Sequence, residues 1–321
     1  MQKEEIAGRR RLLDEVEEIL SKSGFYQAEC SAIRSITFDV IARRDRELLF
    51  IKVLRNVDGF GRETAEEMKS VSAALHGRPL IIGSHSGGGK LEDGIVYSRF
   101  NVPIMTVETL REELLEGVPP FIKAEPGGFY VHIDGEMLKR MREDMSLSLG
   151  SLAEIAGVSR KAIQMYENGM KAMVDVAQRL EEFFNMPFVL PFNYWDESET
   201  AIKWNEGLEE AEGFEAEIFD KLDNQGWSLL PTYRSAFSAI TKHLNDVLIA
   251  WCDDSPEEFI RQAQVLRSIM SIAEKDALVF LGADTEKEVM SGIPVINRKT
   301  LMKIRGPEEL IAYAQERAGR R

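Results

Sequence analysis

The sequence predicts a multidomain chain, α/β plus all-α, in which two repeated α/β domains flank a small helical domain. Three observations carry this. Seven elements recur in one order near both ends of the 321 residues. Two breaker-rich stretches, Gly117 to Gly128 and Met186 to Pro191 with the acidic run through Glu217, set the ends apart from the middle. Between those stretches, one short strand gives way to apolar residues at helical spacing. The domains are expected at 1–118, 127–190 and 210–321.

The repeat can be followed element by element. A helix over Leu12 to Lys22 leads into Ser23-Gly24-Phe25; its counterpart over Glu215 to Leu222 leads into Gln225-Gly226-Trp227. Two β-rich runs follow, Ser35 to Ala42 and Leu48 to Val53, matched by Ala236 to Thr241 and Val247 to Cys252. Helices are then predicted over Glu63 to Leu75 and Pro256 to Ile272. Leu80 to Gly83 and Leu278 to Gly282 are continuous apolar runs, the mark of strands buried on both faces. Each unit closes with a proline-containing strand (Val102 to Thr106, Ile293 to Asn297) and a helix beginning near Thr109 or Thr300.

In the middle segment, Asp134 can cap a helix over Gly135 to Asp144 with an apolar stripe of Met137, Leu138, Met141 and Met145. Ser148 caps Leu149 to Ala156, Gly157 supplies a tight turn, and Ser159 caps Arg160 to Asn168, which Gly169 ends. A fourth helix runs Val174 to Phe184. Two short helices around a glycine turn, packed through Ala153, Val158 and Ile163, form a helix-turn-helix.

The run Ser148-Leu-Gly-Ser-Leu-Ala-Glu-Ile-Ala-Gly-Val-Ser-Arg-Lys-Ala-Ile-Gln-Met-Tyr-Glu-Asn-Gly169 resembles the Cro/cI-type repressors, most of all in its Glu167-Asn168-Gly169 ending. The resemblance implies a third helix in the major groove of double-stranded DNA. Arg160, Lys161 and Gln164 fall at its base-facing positions, Met165 beside them, and Asn168 and Lys171 near phosphates. Arginine can grip guanine with two hydrogen bonds, and glutamine can do the same to adenine. Ser148, Leu149 and Ser159 sit at the two helix starts, where backbone N–H groups can meet phosphate. Leu149 departs from the family, which commonly has glutamine there.

The first flank resembles restriction-endonuclease-like folds, particularly archaeal Holliday-junction resolvases, through Gly24-Phe25, Asp39-Val-Ile-Ala42 and Phe50-Ile-Lys52. In that family an Asp and a carboxylate two residues before the Lys hold the divalent metal that activates water. Asp39 and Lys52 match. Phe50 stands in place of the second carboxylate, and Leu13 roughly where a helix acid is usual; Glu15, Glu17 or Glu18 could still turn inward. In the second flank the matching positions are Ser238, Ile249 and Trp251. Across nearly the whole chain the arrangement looks like archaeal helix-turn-helix transcriptional regulators. A nuclease targeted by the helix-turn-helix is the alternative, and an antitoxin-like protein a third reading. No catalytic residue, metal or cofactor is expected.

Composition agrees. A 44% hydrophobic, 29% charged chain is ordinary globular protein, and its net charge of −14 confines DNA attraction to a local patch. Even the middle segment, Asp134 to Met186, has seven basic and nine acidic residues. Pairing into a homodimer is therefore expected to supply affinity, with an effector left open. The opening MQKEEIAGRRRLLDEVEEIL lacks an apolar signal core and no run approaches membrane length, which predicts a cytoplasmic protein with two reduced thiols, Cys30 and Cys252. Ser84 to Lys90 has the glycines of a phosphate loop but not its first Gly or its Ser/Thr, and reads as a flexible loop. His76, His85, His132 and His243 lack metal spacing, and the tail Arg317, Arg320 and Arg321 reads as a solvated end.

Overall fold

A computed structural model describes residues 2–30, 37–195, 201–253, 255–283, 285 and 287–317; Ser35, Ile36, Arg320 and Arg321 lie outside the described residues. The chain divides into two compact units, one of Met1–Val53, Asp58–Ile81 and Ser198–Arg321, the other of Leu54–Val57 and Ile82–Glu197.

The first unit opens with α1 (Gln2–Lys22), which buries Leu13, Val16, Ile19 and Leu20 along one stripe. Strands β1 (Tyr26–Glu29), β2 (Val40–Arg44) and β3 (Glu47–Asn56) form an antiparallel meander with Gln27 opposite Ala42 and Ile41 opposite Phe50. β3 is buried from Leu48 to Ile51, as its unbroken apolar run requires. α2 (Arg62–Ala74) returns the chain to β4 (Arg78–Ser86), the neighbour of β3.

In the second unit, β5 (Gly89–Lys90) folds back on the end of β4 with His85 opposite Lys90. The stretch read as a flexible loop is thus a short hairpin turned by its glycines. β6 (Ile95–Arg99) and β7 (Val102–Met105) pair antiparallel, and Thr106 caps α3 (Val107–Arg111). β8 (Ile122–Glu125) runs parallel to β6 and antiparallel to β9 (Gly128–Ile133). Strand β8 lies inside the breaker-rich stretch Gly117 to Gly128 that was expected to be a boundary between domains. Pro119 and Pro120 precede it, and Gly127 and Gly128, at φ 102° and 148°, turn the chain after it. The breakers therefore flank a four-residue strand.

The helical part follows the caps closely: α4 (Gly135–Asp144), α5 (Leu149–Ala156), α6 (Arg160–Glu167), β10 (Ala172–Met173), α7 (Val174–Phe184) and β11 (Val189–Leu190). Leu138, Leu152, Ala156, Ile163, Val176, Leu180 and Phe188 form its core together with Val131 and Ile133 of β9, to which β10 and β11 both pair.

The chain returns to the first unit with α8 (Gly213–Asn224), β12 (Ser228–Pro231), β13 (Ala239–His243), β14 (Asp246–Asp253), α9 (Pro256–Ala273), β15 (Asp276–Leu281), β16 (Val289–Met290), β17 (Ile293–Asn297), α10 (Arg298–Lys303) and α11 (Pro307–Arg317). The strand order is β12-β13-β14-β15-β17-β16, with β14, β15 and β17 parallel. Phe214, Phe219, Leu222, Trp227 and Phe280 fill its core. α9 packs on β1 and β2, and the Arg43 guanidinium caps its C-terminus by donating to the Ile272 carbonyl and, at 3.1 Å, to that of Ala273. Within the same unit the Glu67 carboxylate accepts from the backbone N–H groups of Tyr233 and Arg234 and from the hydroxyls of Ser235 and Thr37.

Candidate nucleic-acid interface

The helix-turn-helix is built from its caps inward. Ser148 Oγ accepts from the Ser151 N–H at 3.0 Å and Ser159 Oγ from that of Ala162 at 3.1 Å, so each hydroxyl satisfies one orphan donor of its helix. Gly157, at φ 68°, ends α5 in the left-handed conformation that makes the turn tight. Arg179 from α7 donates to the Ala156 carbonyl at 2.9 Å, closing the same helix end.

The Glu167-Asn168-Gly169 ending has a mechanical basis. Glu167 accepts two bonds from the Arg142 guanidinium, Nε to Oε1 at 2.5 Å and Nη2 to Oε2 at 3.1 Å. Arg142 Nη1 also donates to the Leu147 carbonyl at 3.0 Å. The two side chains are 12% and 7% exposed, and the carboxylate holds the arginine above its ordinary value. This two-pronged pair ties the C-terminal end of α6 to α4. Gly135 lets the helices close: a Cβ there would collide with the Tyr166 and Glu167 carbonyls.

α6 buries Ile163 and Tyr166 and turns Arg160, Lys161, Gln164 and Asn168 to solvent, with Met165 40% exposed beside them. Spacings of one, four and eight residues place the four polar side chains on one face. Arg160, Lys161 and Gln164 make no side-chain bond among the described residues, whereas Asn168 Nδ2 donates to the Gln164 carbonyl at 2.8 Å. Leu149 is half-buried against the helical core, leaving only the backbone of the first turn of α5 for a phosphate. Lys171 is held: its ammonium lies 2.6 Å from Glu125, which Lys123 also approaches at 3.0 Å. The Lys171 bond is the leading cause that lowers the Glu125 carboxyl below its usual range. That pairing is invisible in the sequence, since the partners lie 46 residues apart.

The second place the sequence singled out is the Asp39 pocket. Lys52 Nζ is 3.1 Å from Asp39 Oδ1, and the Val53 N–H donates to Oδ2 at 2.8 Å. Burial pushes the Lys52 ammonium below its ordinary value, with Asp39 opposing. Arg9, which sequence reasoning missed, reaches the same Oδ1 at 2.7 Å. Phe50 is fully buried, its ring edge-on to Phe38 at 5.1 Å. Leu13 is buried, Glu15 and Glu18 face solvent, and Glu17 is half-buried, its carboxyl raised chiefly by burial. In the C-terminal segment, at the position that the sequence pairs with Asp39, Ser238 Oγ accepts from the Cys252 N–H at 3.0 Å, and Glu215, raised chiefly by burial, bonds the same serine. Among the described residues no group of three or more His, Cys, Asp or Glu could hold a metal ion, and no helix is long and apolar enough to cross a membrane.

Comparison with known proteins gives two family matches, a PD-(D/E)XK superfamily domain over residues 9–120 and a helix-turn-helix over residues 138–190. The chain is 32% identical over 321 residues to a protein of Methanosarcina acetivorans, covering 95% of this chain and 96% of that one. It is 36% identical to a protein of Pyrococcus horikoshii, covering 96% and 98%, and 36% identical to one of Methanocaldococcus jannaschii, covering 86% and 87%. All three carry the name "Putative HTH-type transcriptional regulatory protein". No solved structure matches.

Proposed function

Because the chain belongs to the archaeal family of HTH-type transcriptional regulatory proteins, we propose that it regulates transcription by reading a DNA sequence with α6 laid in the major groove. The observation that carries this is the outer face of α6, where Arg160, Lys161 and Gln164 stand exposed and unbonded on a helix locked at both ends. Rigid backing with free polar tips is what base readout needs. Ser148, Leu149 and Ser159 present helix-start N–H groups to phosphates, Met165 adds an apolar contact, and Asn168 a polar one at the rim. Lys171 contributes least, because reaching DNA means leaving Glu125.

Arg160→Ala and Gln164→Ala should each weaken specific binding by roughly 1–3 kcal/mol and relax preference at one base pair. Lys171→Ala should weaken all sequences alike, and only slightly. Selection of bound fragments from a random pool, repeated with each variant, reads this directly; an Arg160→Ala chain that selects the native sequence removes α6 from the groove.

Two chains are assigned to one site, since one module with more acids than bases binds weakly and reads half-sites that a dimer spaces about 34 Å apart. Light scattering at micromolar concentration should give a dimer; a monomer with full affinity for the selected DNA would contradict it. We place pairing, and an effector if there is one, in the α/β segments.

Those segments are read as a duplication of one restriction-endonuclease-like unit. Supporting this, β1-β2-β3-β4 is matched by β12-β13-β14-β15, and β4-β7-β6 by β15-β17-β16. The detail repeats as well: the Asp39 N–H donates to the Ile51 carbonyl at 2.8 Å and the Ser238 N–H to that of Ala250 at 3.0 Å.

A further inference from the structure

The superfamily matched by residues 9–120 implies a divalent cation on Asp39, and the residues around Asp39 do not fit one. We propose that the chain's own Arg9 guanidinium takes that cation's place, making the pocket a permanently loaded, metal-independent joint between α1 and the β2–β3 hairpin.

Asp39 is 1% exposed, and an ionised carboxylate in such a place needs compensation on both oxygens. Oδ2 is taken by the Val53 N–H at 2.8 Å; Oδ1 is shared by Arg9 at 2.7 Å and Lys52 at 3.1 Å. Arg9 is fixed from a second side, its Nε donating to the Val53 carbonyl at 3.0 Å. The guanidinium therefore spans the carboxylate and the backbone of β3, as a bound ion bridges its ligands.

Two positive charges already face one negative charge. A hard divalent cation added there would meet a single carboxylate and two repelling neighbours, while Phe50 and Leu13 offer no oxygen from the positions that should supply more. The C-terminal segment provides a control, resting on the duplication reading. Ser238 replaces Asp39 there. Helix α8 (Gly213–Asn224) carries no arginine, so where the Asp39 carboxylate is absent the guanidinium is absent too. This proposal does not depend on DNA reading by α6, and its test does not use DNA.

The test is thermal unfolding of the full chain, with Mn²⁺ binding followed by electron paramagnetic resonance. The native chain should show the same unfolding midpoint in Mg²⁺ and in chelator, and no Mn²⁺ site that Asp39→Asn removes. Arg9→Ala should lower the midpoint by about 5 °C or more. Guanidinium well below denaturing concentration should restore part of that loss in Arg9→Ala but not in the Arg9→Ala/Asp39→Asn double variant, and Mn²⁺ should restore neither. Should Arg9→Ala fail to fold, Arg9→Lys, which keeps the charge but cannot span Asp39 and Val53, should show a smaller drop. A stoichiometric Mn²⁺ site at Asp39 in the native chain would overturn the proposal. So would an unchanged midpoint in Arg9→Ala, or a lowered one that guanidinium does not restore.

Discussion

Glu167→Ala should open the helix-turn-helix while the α/β core stays folded. The substitution leaves the Arg142 guanidinium 12% exposed and stripped of its two-pronged partner, with only the Leu147 carbonyl and the neighbouring Glu143 to receive it. Removing one member of a buried pair strands the other charge, a loss of about 3–5 kcal/mol, far more than the pair adds over an apolar substitute. α6 would then lose its tie to α4, and sequence-specific binding would fail even though no residue facing DNA had changed. Hydrogen exchange is the measurement of choice, since it reads the loss at the helical residues separately from the rest of the chain. Amides of residues 135–184 should lose protection in Glu167→Ala and recover it in part in an Arg142→Met/Glu167→Leu double variant. Unchanged protection in the single variant would show the pair to be idle.

Asp39→Ala should destabilise the first unit by a comparable amount, about 3 kcal/mol, because it strands the buried Lys52 ammonium and frees Arg9 together. Affinity for the selected DNA should hold as long as the chain stays folded. Urea unfolding and a binding titration on the same sample separate the two effects. The contrary outcome is also well defined: cleavage of supercoiled plasmid or four-way junctions by the native chain, lost in Asp39→Ala and in Lys52→Ala, would make the chain a nuclease.

The helical middle could be read from sequence because its signals are local. Asp134, Ser148 and Ser159 each cap the helix they precede, and Gly157 stands at the left-handed turn between the two helices. The predicted bounds of α4, α5 and α7 match those found, and α6 ends one residue early. What stayed hidden depends on distant partners. Strand β8 is four residues among prolines and glycines, and its pairing with β6 makes it a strand. Short strands β1 and β12 escape a sequence reading for the same reason. Arg9 sits in a run of three arginines that reads as a solvated helix face, and its partner is thirty residues away. Phe50 in place of a carboxylate was visible in the sequence; the Arg9 guanidinium on Asp39 was not.

The bond from Arg43 to the end of α9 spans about 230 residues of chain, and the Glu67 carboxylate meets Tyr233 and Arg234 across about 167. During synthesis, β2 and α2 leave the ribosome long before the segment that completes them. The second unit needs no such wait, since apart from Leu54–Val57 it is one continuous stretch, Ile82–Glu197. The helix-turn-helix can therefore be finished while the α/β unit is still half made, with the packing surface of β1 and β2 uncovered. Contacts of such long range close slowly, and an uncovered sheet invites association with other chains. A nascent chain stalled near residue 200 would be the form most in need of a chaperone.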